Sequence, residues 1–315
     1  MRSAVTNPWI LLLALTFISI GGLLFIGQVL AWGFITIVTG STSAFMDLLL
    51  NPMGDPDTRW LLMAVQGFNH LGGFLIAPLI FYFTLVKGRF FHDYFRPQAN
   101  MVMILLLTVM VSFSFMIVDT IVIEWNESIT LPESLSGLEQ WAKALEDSMK
   151  ELTVYLTKFD SPEYFLLAVV VIAVLPGIGE ELIFRGLLQN IFLRMNKNPH
   201  VAIWLAAFFF SAIHFQFYGF VPRLLLGALF GYLYFWTGNL LVPIFAHFFN
   251  NFFSVLALYA YQKGLTDIDP ETNEALPLTY IIVFGVLFIV LIVYFKNYVS
   301  ANKENREDDR MVGNI

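Results

Sequence analysis

Residues 165–193 read FLLAVVVIAVLPGIGEELIFRGLLQNIFL, and this stretch decides the fold. About 20 apolar residues suffice to cross a bilayer as a helix, and this run is longer. In its middle stand Glu180, Glu181 and Arg185. A charged side chain at mid-bilayer costs at least about 2.5–3.5 kcal/mol on insertion scales, so such groups are kept for function or for pairing. On a helix Glu181 and Arg185 are four residues apart and share a face, whereas Glu180 sits about 100° round the axis. Arg185 can therefore neutralise one carboxylate and leave the other free to act on a proton. One arginine cannot balance two glutamates, which weighs against a purely structural ionic network. Just upstream, Pro176-Gly177-Ile178-Gly179 is expected to loosen or break the helix. Irregular backbone at membrane depth is tolerated where it lines a water-filled cavity, and hydrolysis needs water.

The rest of the 315 residues agree with this setting. The chain is 58% hydrophobic and only 13% charged, about half the charge of a soluble domain, and its mean hydropathy is +0.72. An all-α polytopic bundle of about eight spans is expected, at roughly 9–38, 60–86, 100–124, 163–194, 200–218, 221–237, 239–261 and 277–296. The first is too long for a signal-peptide core and lacks a small-residue cleavage site, so it reads as an anchor. Cysteine is absent, which excludes thiol nucleophiles and thiolate-bound zinc within these residues. The chain divides into N-terminal transmembrane helices (1–125), an extracytoplasmic loop (126–161), a core (162–262), a last helix with its preceding loop (263–296) and a disordered tail (297–315). In the loop, Leu135, Leu138, Ala142, Leu145, Met149, Leu152 and Leu156 form a helical stripe opposite charges, the mark of an amphipathic helix on the membrane or over the bundle. Lys and Arg favour the loops that are inside if the N-terminus is inside, among them Lys87, Arg89, Arg96, Arg194 and Lys197. This bias sets the expected orientation, both termini cytoplasmic, in a bacterial inner membrane.

Two further apolar segments carry histidine. Phe210 and His214 are four apart on the fifth span, and His247 and Asn251 four apart on the seventh. Each histidine alone suits an interhelical hydrogen bond. With a rise of 1.5 Å per residue, Glu180 lies about 21 Å from the inner helix end near Arg194, and His214 about 22 Å from an inner end near His200. His247 is nearer, about 11 Å from the inner end at Asn239, and within the error of the helix ends the levels are comparable, so the groups are expected to converge in the inner half, giving a site open to the cytoplasm. Asn69 and His70 read as packing residues, Asp119 as a solvated group near the outer edge, and Gln189 and Asn190 as interhelical contacts. Gly227 and Gly231 have the small-residue spacing that lets helices approach. A proton-coupled transporter would also use intramembrane Glu and His. Against it, the halves of the chain show no repeat, and the polar residues cluster in one half.

Three motifs together carry a resemblance. Glu180-Glu181-Leu182-Ile183-Phe184-Arg185, Phe210-Ser211-Ala212-Ile213-His214 and His247-Phe248-Phe249-Asn250-Asn251 follow in order on hydrophobic spans. Over about 165–255 the chain resembles the CPBP family of intramembrane proteases, which includes CAAX prenyl endopeptidases and Abi bacteriocin-immunity proteins. The resemblance implies a helical membrane endopeptidase in which Glu180 activates water with help from His214, His247 and Asn251 stabilise the oxyanion, and Glu181 and Arg185 support the site. Two mechanisms stay open. In one, Glu180, His214 and His247 bind a catalytic zinc; in the other, which is preferred, no cofactor is used and Glu180 is the base. The partners implied are the lipid bilayer and a membrane-associated peptide or protein substrate, with or without a prenyl group, and no nucleic acid. An idle scaffold or immunity protein that binds a partner through the same cavity is the rival reading.

Overall fold

A computed structural model describes residues 7–270 and 274–312. The described residues are helical, with no strand beyond one isolated bridge, Phe95 to Asn239. The elements are α1 (Pro8–Thr39), α2 (Ala44–Leu50), α3 (Pro56–Val86), α4 (Phe90–Tyr94), α5 (Met101–Glu127), α6 (Ser136–Leu156), α7 (Pro162–Asn196), α8 (Pro199–Ala212), α9 (Phe220–Thr237), α10 (Leu241–Gln262) and α11 (Leu278–Val312). Seven are long and apolar enough to cross a membrane: α1, α3, α5, α7, α9, α10 and α11 up to Asn302. The protein is an integral membrane protein with a polytopic helical fold.

Local chemistry sets the helix ends. Asn100 Oδ1 accepts from the Met103 N–H, Ser161 Oγ from Tyr164 and Asn198 Oδ1 from His200, and Pro162 and Pro199 occupy first-turn positions where no N–H is needed. Gly238 closes α9 with φ +62°, a conformation that glycine adopts without a Cβ penalty.

Alternate helices run in opposite directions, and each end of the bundle is tied together across the chain. At one end, the Leu240 N–H donates to the Tyr94 carbonyl (2.7 Å), Gln98 Nε2 to the Thr237 carbonyl (2.8 Å) and Asn239 Nδ2 to the Arg96 carbonyl (2.6 Å). At the other, Asn126 joins Phe217 and Val221, Tyr155 Oη donates to the Asp55 carbonyl, and Gln262 Nε2 donates to the Thr157 carbonyl. The amphipathic helix expected in the 125–161 loop is α6, which lies over this second end.

Four features depart from the sequence reading. The expected fifth span, 200–218, holds a helix of only 14 residues, α8, about 21 Å long against a hydrocarbon core of about 30 Å. The chain leaves it at Ala212, so the turn that follows lies within the bundle. The Pro176–Gly179 segment does not break α7: residues 175–181 form regular helix, and the widening falls on either side, where Leu175 N–H bonds Val170 and Gln189 N–H bonds Phe184, five residues back. Such widened turns cluster at functional sites. No boundary falls at 297: α11 continues through Val312 and Val299 is fully buried against α5 and α9, so the disordered tail expected from there is not what forms up to Val312. Residues 313–315 lie outside the described residues. Asp119, expected to be solvated, is 8% exposed.

Close backbone approaches hold the two halves together. A Cβ at Gly22 would sit 2.3 Å from the Gly72 carbonyl oxygen, which fixes the crossing of α1 and α3. A Cβ at Gly179 would meet Phe74 at 2.9 Å, and one at Gly177 the Phe248 N at 3.1 Å. The glycines next to the two glutamates thus let α7 lie directly against α3 and α10.

Candidate active site

Glu180 and Glu181 lie near the midpoint of α7, in the regular turns between its two widened ones. Glu181 is fully buried. Its Oε1 accepts from Arg185 Nη1 at 2.7 Å and from His247 Nδ1 at 2.8 Å. Arg185, 1% exposed, also donates from Nη2 to the Gly227 carbonyl at 2.7 Å, and its guanidinium lies 4.6 Å from the Phe210 ring centroid and 5.3 Å from that of Phe230. His247 stacks on Phe230, with centroids 5.2 Å apart. One carboxylate thus ties α7 to α9 and α10 through a charge pair, a carbonyl and two aromatic faces. The division inferred from the sequence, Glu181 with Arg185, is the one found.

Glu180 is buried and faces elsewhere. Its Oε2 has no hydrogen-bond partner among the described residues. The groups whose charges bear on it are Glu181, Arg185, His247 and Arg223. His70, from α3, brings Nε2 within 3.8 Å of Glu180 Oε1, with its ring stacked on Phe74 at 4.4 Å. Arg223, at the start of α9, donates to Gln216 Oε1 at 2.5 Å and to the Gly219 carbonyl. Neither His70 nor Arg223 was singled out by the motif reading. His70 was read as a packing residue, and nothing in the spacing of the three motifs points to Arg223.

His214 lies not on a helix but in the turn after α8. Its Nδ1 is 2.8 Å from the Phe210 carbonyl oxygen, so this nitrogen carries the proton in the neutral ring and Nε2 is left as the acceptor. The Phe210–His214 spacing therefore works as a backbone-anchored turn, and the short α8 is what holds His214 at depth. Asn251 donates from Nδ2 to the Ile172 carbonyl at 3.0 Å and accepts from Asn250 Nδ2 at 3.2 Å. Pro176 lacks the N–H that would close an α-turn on Ile172, and Asn251 supplies a donor in its place. Asn190 donates to the Arg185 and Gly186 carbonyls of its own helix and reaches Tyr234 Oη of α9 at 3.3 Å, and Gln189 reaches the Gly231 carbonyl of α9, so both make interhelical contacts. A Cβ at Gly231 would lie 2.8 Å from Ile203, consistent with the packing role of the glycine pair.

Two cavities flank this region. The larger, about 760 Å³, opens on the α6 side and is lined by Asp119, Lys143, Glu146, Gln216, Arg223 and Asn250 among others. The smaller, about 210 Å³, lies at the opposite end beside Tyr94, Arg96, Asn190 and Tyr234. Glu180 lines neither. The larger space approaches from the end covered by α6, with Arg223 and Asn250, the neighbour of Asn251, in its lining. On α6, Glu146 accepts from the Tyr218 N–H at 2.8 Å, and partial burial raises its carboxyl pKa against the opposing pull of that hydrogen bond. No three His, Asp or Glu among the described residues gather closely enough to hold a metal ion, so Glu180, His214 and His247 do not form a ready ligand set.

A polytopic helical membrane protein with two buried glutamates, three histidines and a buried arginine at mid-depth is the class that fold and site define. Residues 162–253 match the family model described as Type II CAAX prenyl endopeptidase Rce1-like. An uncharacterised protein, YpbD of Bacillus subtilis (strain 168), is 34% identical over 84 residues, which are 25% of this chain and 40% of that protein. The chain thus matches well under half of that relative's length. No solved structure matches the chain. The resemblance carried by the three motifs is borne out over residues 162–253, which match that family model.

Proposed function

We propose that the protein is an intramembrane endopeptidase that cleaves a peptide bond of a membrane-associated protein or peptide, with Glu180 as the general base for water. The observation that carries this reading is the separation of the two glutamates. Glu181 Oε1 is engaged by Arg185 and His247, whereas His70 Nε2 stands 3.8 Å from Glu180 Oε1, beyond hydrogen-bond distance, and Glu180 Oε2, like Glu181 Oε2, has no partner among the described residues. A base must have a free lone pair within reach of the proton that it takes.

The chemistry follows from the hydrogen bonds. Glu180 removes a proton from water, and the hydroxide adds to the scissile carbonyl carbon. His214, whose Nε2 is an acceptor while Nδ1 faces Phe210, assists that transfer. The developing oxyanion is held by His247 and by the second N–H of Asn251. His247 donates from Nε2, and Glu181, which its Nδ1 faces, holds the ring in place. The proton on Glu180 then passes to the leaving amine as the C–N bond breaks. The absence of a gathered ligand triad favours this route over one through zinc. The substrate enters from the α6 side; in the orientation favoured by Lys87, Arg89, Arg96, Arg194 and Lys197, that side is extracytoplasmic and the membrane is a bacterial inner membrane.

The test is cleavage of a quenched library of membrane-segment and prenylated peptides by the full chain in detergent. Wild type cleaves at least one, and Glu180→Gln abolishes cleavage with an unchanged melting temperature. Activity that survives Glu180→Gln overturns Glu180 as base. No cleavage by wild type of any peptide favours a scaffold.

A further inference from the structure

We infer that His70 of α3, outside the family-matched segment, is a positioning residue for Glu180. The inference rests on the proposed role of Glu180. His70 Nε2 is 3.8 Å from Glu180 Oε1, and neither His70 Nε2 nor Glu180 Oε2 has a hydrogen-bond partner among the described residues. A buried ring nitrogen left unpaired beside a buried carboxylate is costly, and native structures rarely retain one without use. Two local features aim the ring. Phe74, one helical turn on, stacks against it with planes 12° apart. Phe74 in turn lies where a Cβ on Gly179 would be, so the residue before Glu180 has no side chain to push it away.

Only a donor suits this place. The charged and titratable groups that bear on the Glu180–His70 pair are Glu181 and Arg185 on α7, Arg223 on α9, His247 on α10 and His214 beyond α8. Arg185 and the Nδ1 of His247 are committed to Glu181, and Arg223 donates to Gln216 and Gly219. His70 Nε2 is left with no partner of its own among the described residues. At 3.8 Å the contact is longer than a hydrogen bond, and catalytic contacts of this kind commonly tighten when substrate binds. A donation from Nε2–H to Oε1 fixes the carboxylate plane and leaves Oε2 for water. The N-terminal half of the chain is then part of the site.

Stacking and donation are separated by two substitutions. His70→Phe keeps the aromatic face against Phe74 and loses the donor; His70→Gln keeps an N–H near the same point and loses the ring. We expect His70→Phe to lower kcat/KM by about 10–100-fold, the scale of a hydrogen bond to a charged group, and to move the acidic limb of the pH profile up by about one unit. His70→Gln should recover most of both. A Phe variant with wild-type rate and limb, or a Gln variant as impaired as Phe, overturns the inference. A readout independent of activity uses the five histidines of the chain. In ring-labelled protein, Glu180→Gln should shift the His70 signal while leaving exposed His92 and Tyr232-bonded His200 in place. An unmoved His70 signal refutes the contact, whereas a shifted signal in a protein that cleaves nothing refutes only the peptidase reading.

Discussion

Removing Arg185 tests the whole buried network. Arg185→Met keeps the volume and apolar packing between Phe210 and Phe230 but strips a fully buried carboxylate of its cation. Glu181 is left with one hydrogen bond, from His247, and the Gly227 carbonyl loses its donor. Breaking a buried pair by removing one partner costs about 3–5 kcal/mol, because the other charge stays uncompensated. The Gly227 carbonyl, inside the helix α9, loses only this added donor, so a cost within that range is expected. Arg185→Met with Glu181→Leu removes both charges, and replacing a buried pair by apolar groups is often neutral or stabilising by about 1–4 kcal/mol. The double variant should therefore recover most of the loss, less whatever the freed His247 costs. The assay is reversible unfolding of the full chain in mixed micelles with increasing dodecyl sulfate. A single-variant cost under about 1 kcal/mol, or a double variant no more stable than the single, would refute the claim that Arg185 exists to balance Glu181.

Three further outcomes are expected. Asn251→Ala leaves the Ile172 carbonyl without its side-chain donor and should destabilise by about 1–3 kcal/mol, besides lowering kcat. Wild-type stability in the same unfolding assay would leave Asn251 with a role in the reaction only. Gly227→Ala places a methyl 3.0 Å from Phe210 and 3.2 Å from Ala207 and should cost about 1–3 kcal/mol from overpacking; a neutral result would mean that α8 and α9 can separate freely. Asp160, hydrogen-bonded to Arg59, has its carboxyl pKa held below the usual carboxylate value by that bond. A depressed folded-state pKa gives stability above the unfolded value, about 3.9, which is lost as pH falls through the folded one. Melting temperatures of wild type and Asp160→Asn should thus differ at pH 7 and converge below about pH 3, and a gap unchanged by pH would contradict the pairing.

What the sequence determined by itself is what acts along one helix or one turn. Glu181 and Arg185 face each other because four residues make a turn, and Phe210 reaches His214 for the same reason. Long apolar runs and the charges between them gave the spans, and the leucine stripe gave α6. The tertiary structure alone decided which faces meet. Helices in lipid lack the one-sided apolar stripe that orients a helix in water, since hydrocarbon is as apolar as the core. Nothing in the pattern of α3 could turn His70 towards Glu180, or that of α10 aim Asn251 at the carbonyl opposite Pro176. The short α8 was hidden similarly, because Ile213, Phe215 and Phe217 continue its hydropathy past the last helical turn. Small residues settled the matter: where Gly72, Gly177, Gly179 and Gly227 let backbones touch, the rotations of α3, α7, α9 and α10 were fixed, and the site with them.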